Sequence, residues 1–224
     1  MEKPGKYPII SLKSSLNRGL EELNLWQAAS KATALSNWWQ LSLIAIGSAS
    51  SVIYPHPPLV GFAAVAGNTL IRKKALISAA IIWFTNQLYG FTIRQYPLTL
   101  ESLTWGLVMG VGMLTVTWLV TLRPKFSRDR FQGYLTWLAV SVVGGYVIYQ
   151  GSIVLIAQLM NGHGFTAVIL GRIFVRDVVW AAVLSVAHGA VTWLVMQTVS
   201  QYFRPAFPPT FGSGYRPPGC GRKS

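Results

Sequence analysis

Apolar residues run in long blocks along this chain, and polar residues collect in short breaks between the blocks. The blocks have the length of helices rather than of strands. A helix crosses hydrocarbon with about 20 predominantly apolar residues, and with fewer where the bilayer thins. The pattern predicts six membrane helices, over residues 38–54, 58–71, 75–92, 100–122, 132–160 and 177–203. Trp38 and Trp39 open the first and Tyr54 closes it, as interfacial aromatic residues do. Pro55, Pro57 and Pro58 break the chain after it, because proline cannot continue a helix. The second block is short and rich in small residues, so one kinked helix over 38–71 competes with a hairpin there.

Two more elements are expected outside the spans. Leu12, Leu16, Leu20, Leu23 and Trp26 recur at helical spacing, with basic residues beside them. This stripe reads as an amphipathic helix, lying on the inner membrane surface or packed on the protein's own inner loops. Residues 165–176 read as a short outer helix, ended or kinked near Gly171. Joined to the sixth span it is too long for one straight crossing at about 1.5 Å per residue. The tail from Pro205 is rich in Pro, Gly and Arg and is expected to be disordered.

The positions of the cations choose between hairpin and kink. With six spans and the N-terminus inside, the inner segments 1–37, 72–74, 123–131 and 204–224 hold five, three, four and four Lys or Arg. Only Arg94, Arg172 and Arg176 fall outside, a split of sixteen against three that follows the positive-inside rule. A single kinked helix over 38–71 would turn Arg72, Lys73 and Lys74 outward and erase the bias. The expected fold is therefore an all-α integral membrane protein: a six-helix bundle, both termini inside, led by an amphipathic helix. Its parts are an inner segment over 1–37, a membrane domain over 38–203 and a basic tail over 204–224. A multi-pass protein of the cell inner membrane fits this layout.

Composition supports the class. Hydrophobic residues make up 52% of the 224 and charged residues 11%, about half the share usual in soluble domains. The net charge of +13 lies in clusters between apolar blocks, so nucleic acid is not an expected partner and membrane lipid is. The single cysteine, Cys220, forms no internal disulfide. Residues 1–31 mix basic and acidic residues without the apolar core of a signal peptide.

The topology gives the polar residues a depth. Asn86 and Gln87 fall in the outer third of the third span, with Tyr89, Arg94 and Tyr96 beyond them. Tyr54, His56, Gln158, Asn161, His163, Arg172, Arg176 and Asp177 arrive on the same side. Polar groups at membrane depth are disfavoured and tend to mark sites. Asn86 and Gln87 are consecutive and point about 100° apart, so at most one faces the middle of a cavity. Two readings stay open for them: ligand contact, or bonding between helices worth about 0.6 kcal/mol each. Arg172 and Arg176 share a helix face four residues apart and form, with Asp177, the only concentrated outer charge. They either hold a carboxylate or phosphate, or pair with Asp177 and lipid headgroups.

His188 lies about 16 Å deeper than Asp177 along a helix and reads best as a structural hydrogen bonder. No motif of phosphate binding, zinc binding or nucleophilic catalysis is present, and no two carboxylates lie at membrane depth. No catalytic residue, metal site or cofactor is expected, and the protein is read as a non-enzyme. Small residues supply packing faces at Ala45 and Ala49 and at Gly106 and Gly110.

Six short-looped helices with both termini inside resemble the substrate-capture (S) components of energy-coupling-factor vitamin transporters. Ala45-xxx-Ala49 in the first span is similar to the Ala-xxx-Ala motif with which that family docks a transmembrane coupling subunit. The resemblance covers about residues 38–203. It implies capture of a vitamin-like small molecule near the outer face, with Asn86, Gln87, Tyr89, Arg94, Arg172, Arg176 and Asp177 as candidate ligand-binding residues. The competing expectation is an accessory or assembly subunit of a larger membrane complex.

Overall fold

A computed structural model of the chain describes residues 25–159 and 166–202, with side chains to residue 198. Every regular element among the described residues is helical. In order they are α1 (25–35), α2 (Asn37–Ile53), α3 (Leu59–Thr69), α4 (Arg72–Thr92), α5 (Leu100–Val120), α6 (Phe126–Asp129), α7 (Phe131–Leu159) and α8 (Ala167–Tyr202). Three of them are long and apolar enough to cross a membrane: α5, α7, and α8 as far as Thr198. The chain is a helical membrane protein.

The prolines separate α2 from α3, and the chain turns again at Leu70 and Ile71. Yet α3 is an unusual second helix. It has 11 residues and rises about 16 Å, half the thickness of hydrocarbon. Every one of those residues is buried. α3 forms the centre of the bundle and packs on α4, α5, α7 and α8, while α2 packs mainly on α4. α7 and α8 meet over few residues.

The small residues of α3 explain that placement. Lipid tails are as apolar as the core, so helices associate through close packing rather than through removal from water. A Cβ on Gly61 would lie 2.7 Å from the Asp177 carbonyl oxygen, and one on Gly67 would lie 2.9 Å from the Thr117 carbonyl oxygen. α3 therefore rests directly on the backbones of α8 and α5. Gly106 and Gly110 serve α5 in the same way. The Trp83 ring lies where a Cβ of Gly110 would stand, and its Nε1 donates to Gly106 O at 2.8 Å.

A buried helix must satisfy the backbone groups at its ends. At the start of α3, Pro58 has no N–H and the Leu59 N–H returns to Pro57 O at 2.8 Å. The Gly61 N–H donates to Asp177 Oδ1 at 2.9 Å, and the Val60 N–H also reaches that carboxylate. At the far end, Arg123 Nε donates to Gly67 O at 3.0 Å and its Nη2 donates to Leu70 O. A carboxylate at the N-terminus and a guanidinium at the C-terminus both complement the helix dipole.

The expected break near Gly171 does not occur. α8 is one continuous helix of 36 residues and absorbs the outer helix expected over 165–176. A lone glycine costs a helix only about 1 kcal/mol, and no proline lies between it and the end of α8 at Tyr202. Tyr146 Oη donates to Leu170 O at 2.6 Å, tying this part of α8 to α7. α4 also starts earlier than expected, so Arg72, Lys73 and Lys74 form its first turn.

At the end of the bundle that carries α1 and α6, Trp26 packs edge-on against Phe131 and Tyr134. The rest of the leucine stripe, at 12–23, and the tail over 204–224 lie outside the described residues. His188 is buried between the rings of Trp39 and Tyr134. Its Nε2 lies 3.5 Å from Thr192 Oγ1, while its Nδ1 has no partner. Asn68 donates to Tyr134 O at 3.3 Å.

Candidate functional site

A cavity of about 380 Å³ opens at the end of the bundle where α3 begins. Its walls come from the α2–α3 turn, the end of α4, the start of α5, and the facing stretches of α7 and α8. The volume falls within the range of about 300–1,000 Å³ typical of ligand sites.

The last turns of α4 build one wall. Asn86, Gln87, Tyr89 and Gly90 line the cavity from successive turns of the helix. The chain then folds back on itself. Gln95 takes a left-handed backbone, φ 55°, and the Tyr96 N–H bonds to Gly90 O at 3.1 Å. Gly90 is needed there, because a Cβ would stand 2.8 Å from the Tyr96 ring. This fold-back brings Tyr96 and Pro97 to the cavity. Thr99 then caps α5 by accepting from the Ser102 N–H at 3.2 Å, and α5 presents Ser102, Trp105 and Met109.

Arg94 is held rather than free. Its Nη2 donates to Ser51 O at 2.8 Å, and its guanidinium lies 5.4 Å above the Tyr89 ring centroid. Such a cation–π contact is worth about 0.5–1 kcal/mol at exposed sites and keeps the cation at the rim. Asp177 closes the floor beside Leu59, Tyr149 and Gln150. It is almost fully buried, and its Oδ1 is committed to the first turn of α3. Of the two readings for this charge cluster, the one in which Asp177 pairs with Arg172 or Arg176 gives way to this cap.

The amide pair behaves unlike bonding between helices. Gln87 Nε2 is buried without a hydrogen-bond partner. Its Oε1 lies 2.6 Å from where a Cβ of Gly106 would be, so the glycine makes room for the amide. No side-chain hydrogen bond joins Asn86 to another described residue. An unmet buried donor costs about 1–3 kcal/mol.

Of the seven residues expected at the site, five line this cavity: Asn86, Gln87, Tyr89, Arg94 and Asp177. Arg172 and Arg176 do not. They lie along a shallow groove on the other side of α8 with Tyr54 and Trp180. Arg176 donates to His56 O at 2.9 Å and stacks over the Tyr54 ring at 4.4 Å, so it reaches the cavity only through His56. Partial burial, then the charges of Arg176 and Arg94, lower the pKa of His56 and leave its ring neutral at pH 7.

Gln158 is exposed on α7, and Asn161 and His163 lie outside the described residues. α7 offers Gln150 instead, two turns deeper and buried. The signal for Gln150 was present: it is an amide inside an apolar helix, the feature that singled out Asn86 and Gln87. Ala45 and Ala49 are exposed on α2, facing away from the core.

Aromatic rings supply flat apolar walls, three amides and a serine supply hydrogen bonds, and the one carboxylate and one guanidinium both have partners. Comparison with protein-family models, with curated proteins and with solved structures finds no match, so the site is interpreted from its own residues.

Proposed function

We propose that this protein captures a small, largely uncharged, planar molecule from the outer side of a membrane. The observation that carries the proposal is the cavity itself, where Gln87 Nε2 lies buried and unpartnered among aromatic walls. Tyr89, Tyr96 and Trp105 stack on the flat face of such a molecule, and Asn86, Gln87 and Gln150 bond its edge. The chain crosses the membrane six times with both termini inside, in keeping with the sixteen-to-three division of cations. The cavity then faces outward, and α3 is a short central crossing between two charged caps.

Within this reading the protein works as the substrate-capture component of a nutrient transporter, for a vitamin or a cofactor precursor. Exposure of Ala45 and Ala49 on α2 leaves a small-residue face free for a transmembrane coupling subunit. Mass spectrometry of small molecules retained by the gently purified protein tests the proposal. A heteroaromatic compound retained in equimolar amount supports it. Large membrane subunits that co-purify with no retained compound sink it in favour of an accessory role.

A further inference from the structure

A second cavity, of about 520 Å³, lies at the opposite end of the bundle, beneath the C-terminus of α3. Four cations line it, and they come from four places in the sequence. Lys31 comes from α1, Arg72 from the start of α4, Arg123 from the turn after α5, and Arg128 from α6. One carboxylate, Asp129, shares the cavity, and it accepts a hydrogen bond from Gln27 Nε2 at 3.1 Å. None of the four cations forms an ion pair with a described carboxylate.

The cations are not spread evenly over a solvated face. The fold gathers them around one concavity, with polar groups of Ser30, Asn68 and Thr121 between them. Arg123 is partly buried, and its pKa falls to about 10, first through burial and then through the charge of Arg128. It stays charged at pH 7, so the two guanidiniums repel each other. Such clustering is unfavourable unless an anion sits among the cations. Ile71, Leu122 and Phe126 expose apolar side chains at this level.

We propose that this cavity binds a phosphate-bearing anion, held by Lys31, Arg72, Arg123 and Arg128. Arginine offers a fork of donors matched to phosphate oxygens, and lysine adds a point charge. Basic pockets between membrane helices on the cytoplasmic side commonly take anionic headgroups. An anionic phospholipid and a soluble phosphate share this chemistry. The site does not depend on the outer cavity or on its ligand.

The test uses the full chain in neutral detergent, with two probes. Native mass spectrometry compares retention of phosphatidylglycerol with that of phosphatidylcholine. Thermal unfolding compares sodium phosphate with sodium chloride at equal ionic strength. Lys31→Gln and Arg128→Gln remove cations that are exposed, so the fold stays intact. Lys73→Gln, a neighbour outside the cavity, is the control.

Each lost cation weakens binding about fivefold, so the double variant binds about 25-fold more weakly. Preferential retention of phosphatidylglycerol, lost in the double variant and kept in Lys73→Gln, supports the site with a lipid as its ligand. Stabilisation by phosphate alone, lost in the same variant, supports it with a soluble ligand. Lack of preference in both assays overturns the proposal. So does a loss in Lys73→Gln equal to that of the double variant, which would mean diffuse surface attraction.

Discussion

The two ends of α3 solve one problem with opposite charges and leave different surpluses. At its N-terminus two backbone N–H groups meet the Asp177 carboxylate. At its C-terminus the carbonyls of Gly67 and Leu70 meet the Arg123 guanidinium. Beyond Asp177 lies a cavity of rings and amides whose few charges are occupied. Beyond Arg123 lies a cavity with four cations and one acid. Spare hydrogen-bonding capacity without spare charge suits a neutral molecule, whereas spare positive charge suits an anion. A buried helix dipole thus fixes the sign of each cap, and the residues around the cap decide what the space beyond it can hold.

The comparison is broken most directly at the caps. Asp177→Ala orphans two buried donors and should cost about 2–4 kcal/mol. Arg123→Gln should cost less, about 1–2 kcal/mol, because carbonyls tolerate missing partners better. Unfolding of both variants in detergent, followed by circular dichroism, checks the order. A larger loss for Arg123→Gln would reverse the ranking of the two ends.

Next come the contacts that let α3 sit between backbones. Gly61→Ala drives a methyl group into the Asp177 carbonyl, and Gly67→Ala drives one against Thr117 O and Val120. Each should destabilise by about 1–3 kcal/mol. Gly144→Ala and Gly151→Ala place a methyl group in open space and should change stability by about 0.5 kcal/mol or less. Equal effects at all four positions would mean that α3 is not tightly seated.

The cavity beside Asp177 is sharpened by separating binding from folding. Gln87→Ala removes an unpaired buried amide, so stability should hold or rise slightly, while ligand retention falls about tenfold or more. Asn86→Ala should behave alike. Parallel loss of retention and melting temperature would mean that the pair supports the fold instead.

The smallest effect concerns pH. His56 has a folded-state pKa below its unfolded value, so it favours folding above pH 6.5 and penalises it as pH falls below. His56→Gln should therefore lose less melting temperature than the parent chain between pH 7 and pH 5. An identical loss would place the acid sensitivity elsewhere.

Much of this was legible in one dimension. The ends of α2, α3 and α5 fell within two residues of the sequence expectation, because proline and abrupt polarity act locally. The amides at 86 and 87 announced themselves because polarity is rare at membrane depth. Gln150 was open to the same rule, while Gln158, closer to the end of its helix, proved to be exposed.

Helix rotation and partner choice were not legible. The sequence determined that the chain forms long apolar helices, where prolines interrupt them, and that cations gather at one end. Only the tertiary structure decided that α8 runs unbroken through Gly171, and that Asp177 caps α3 rather than pairing with an arginine. It also decided that Arg172 and Arg176 stand outside the cavity and that α3, a helix of only 11 residues, is buried along its whole length. The physical reason is that lipid and protein core are both apolar. A helix that is hydrophobic all round shows no face in its sequence, so its rotation is set by the close packing of neighbouring backbones, which exists only once the helices have met.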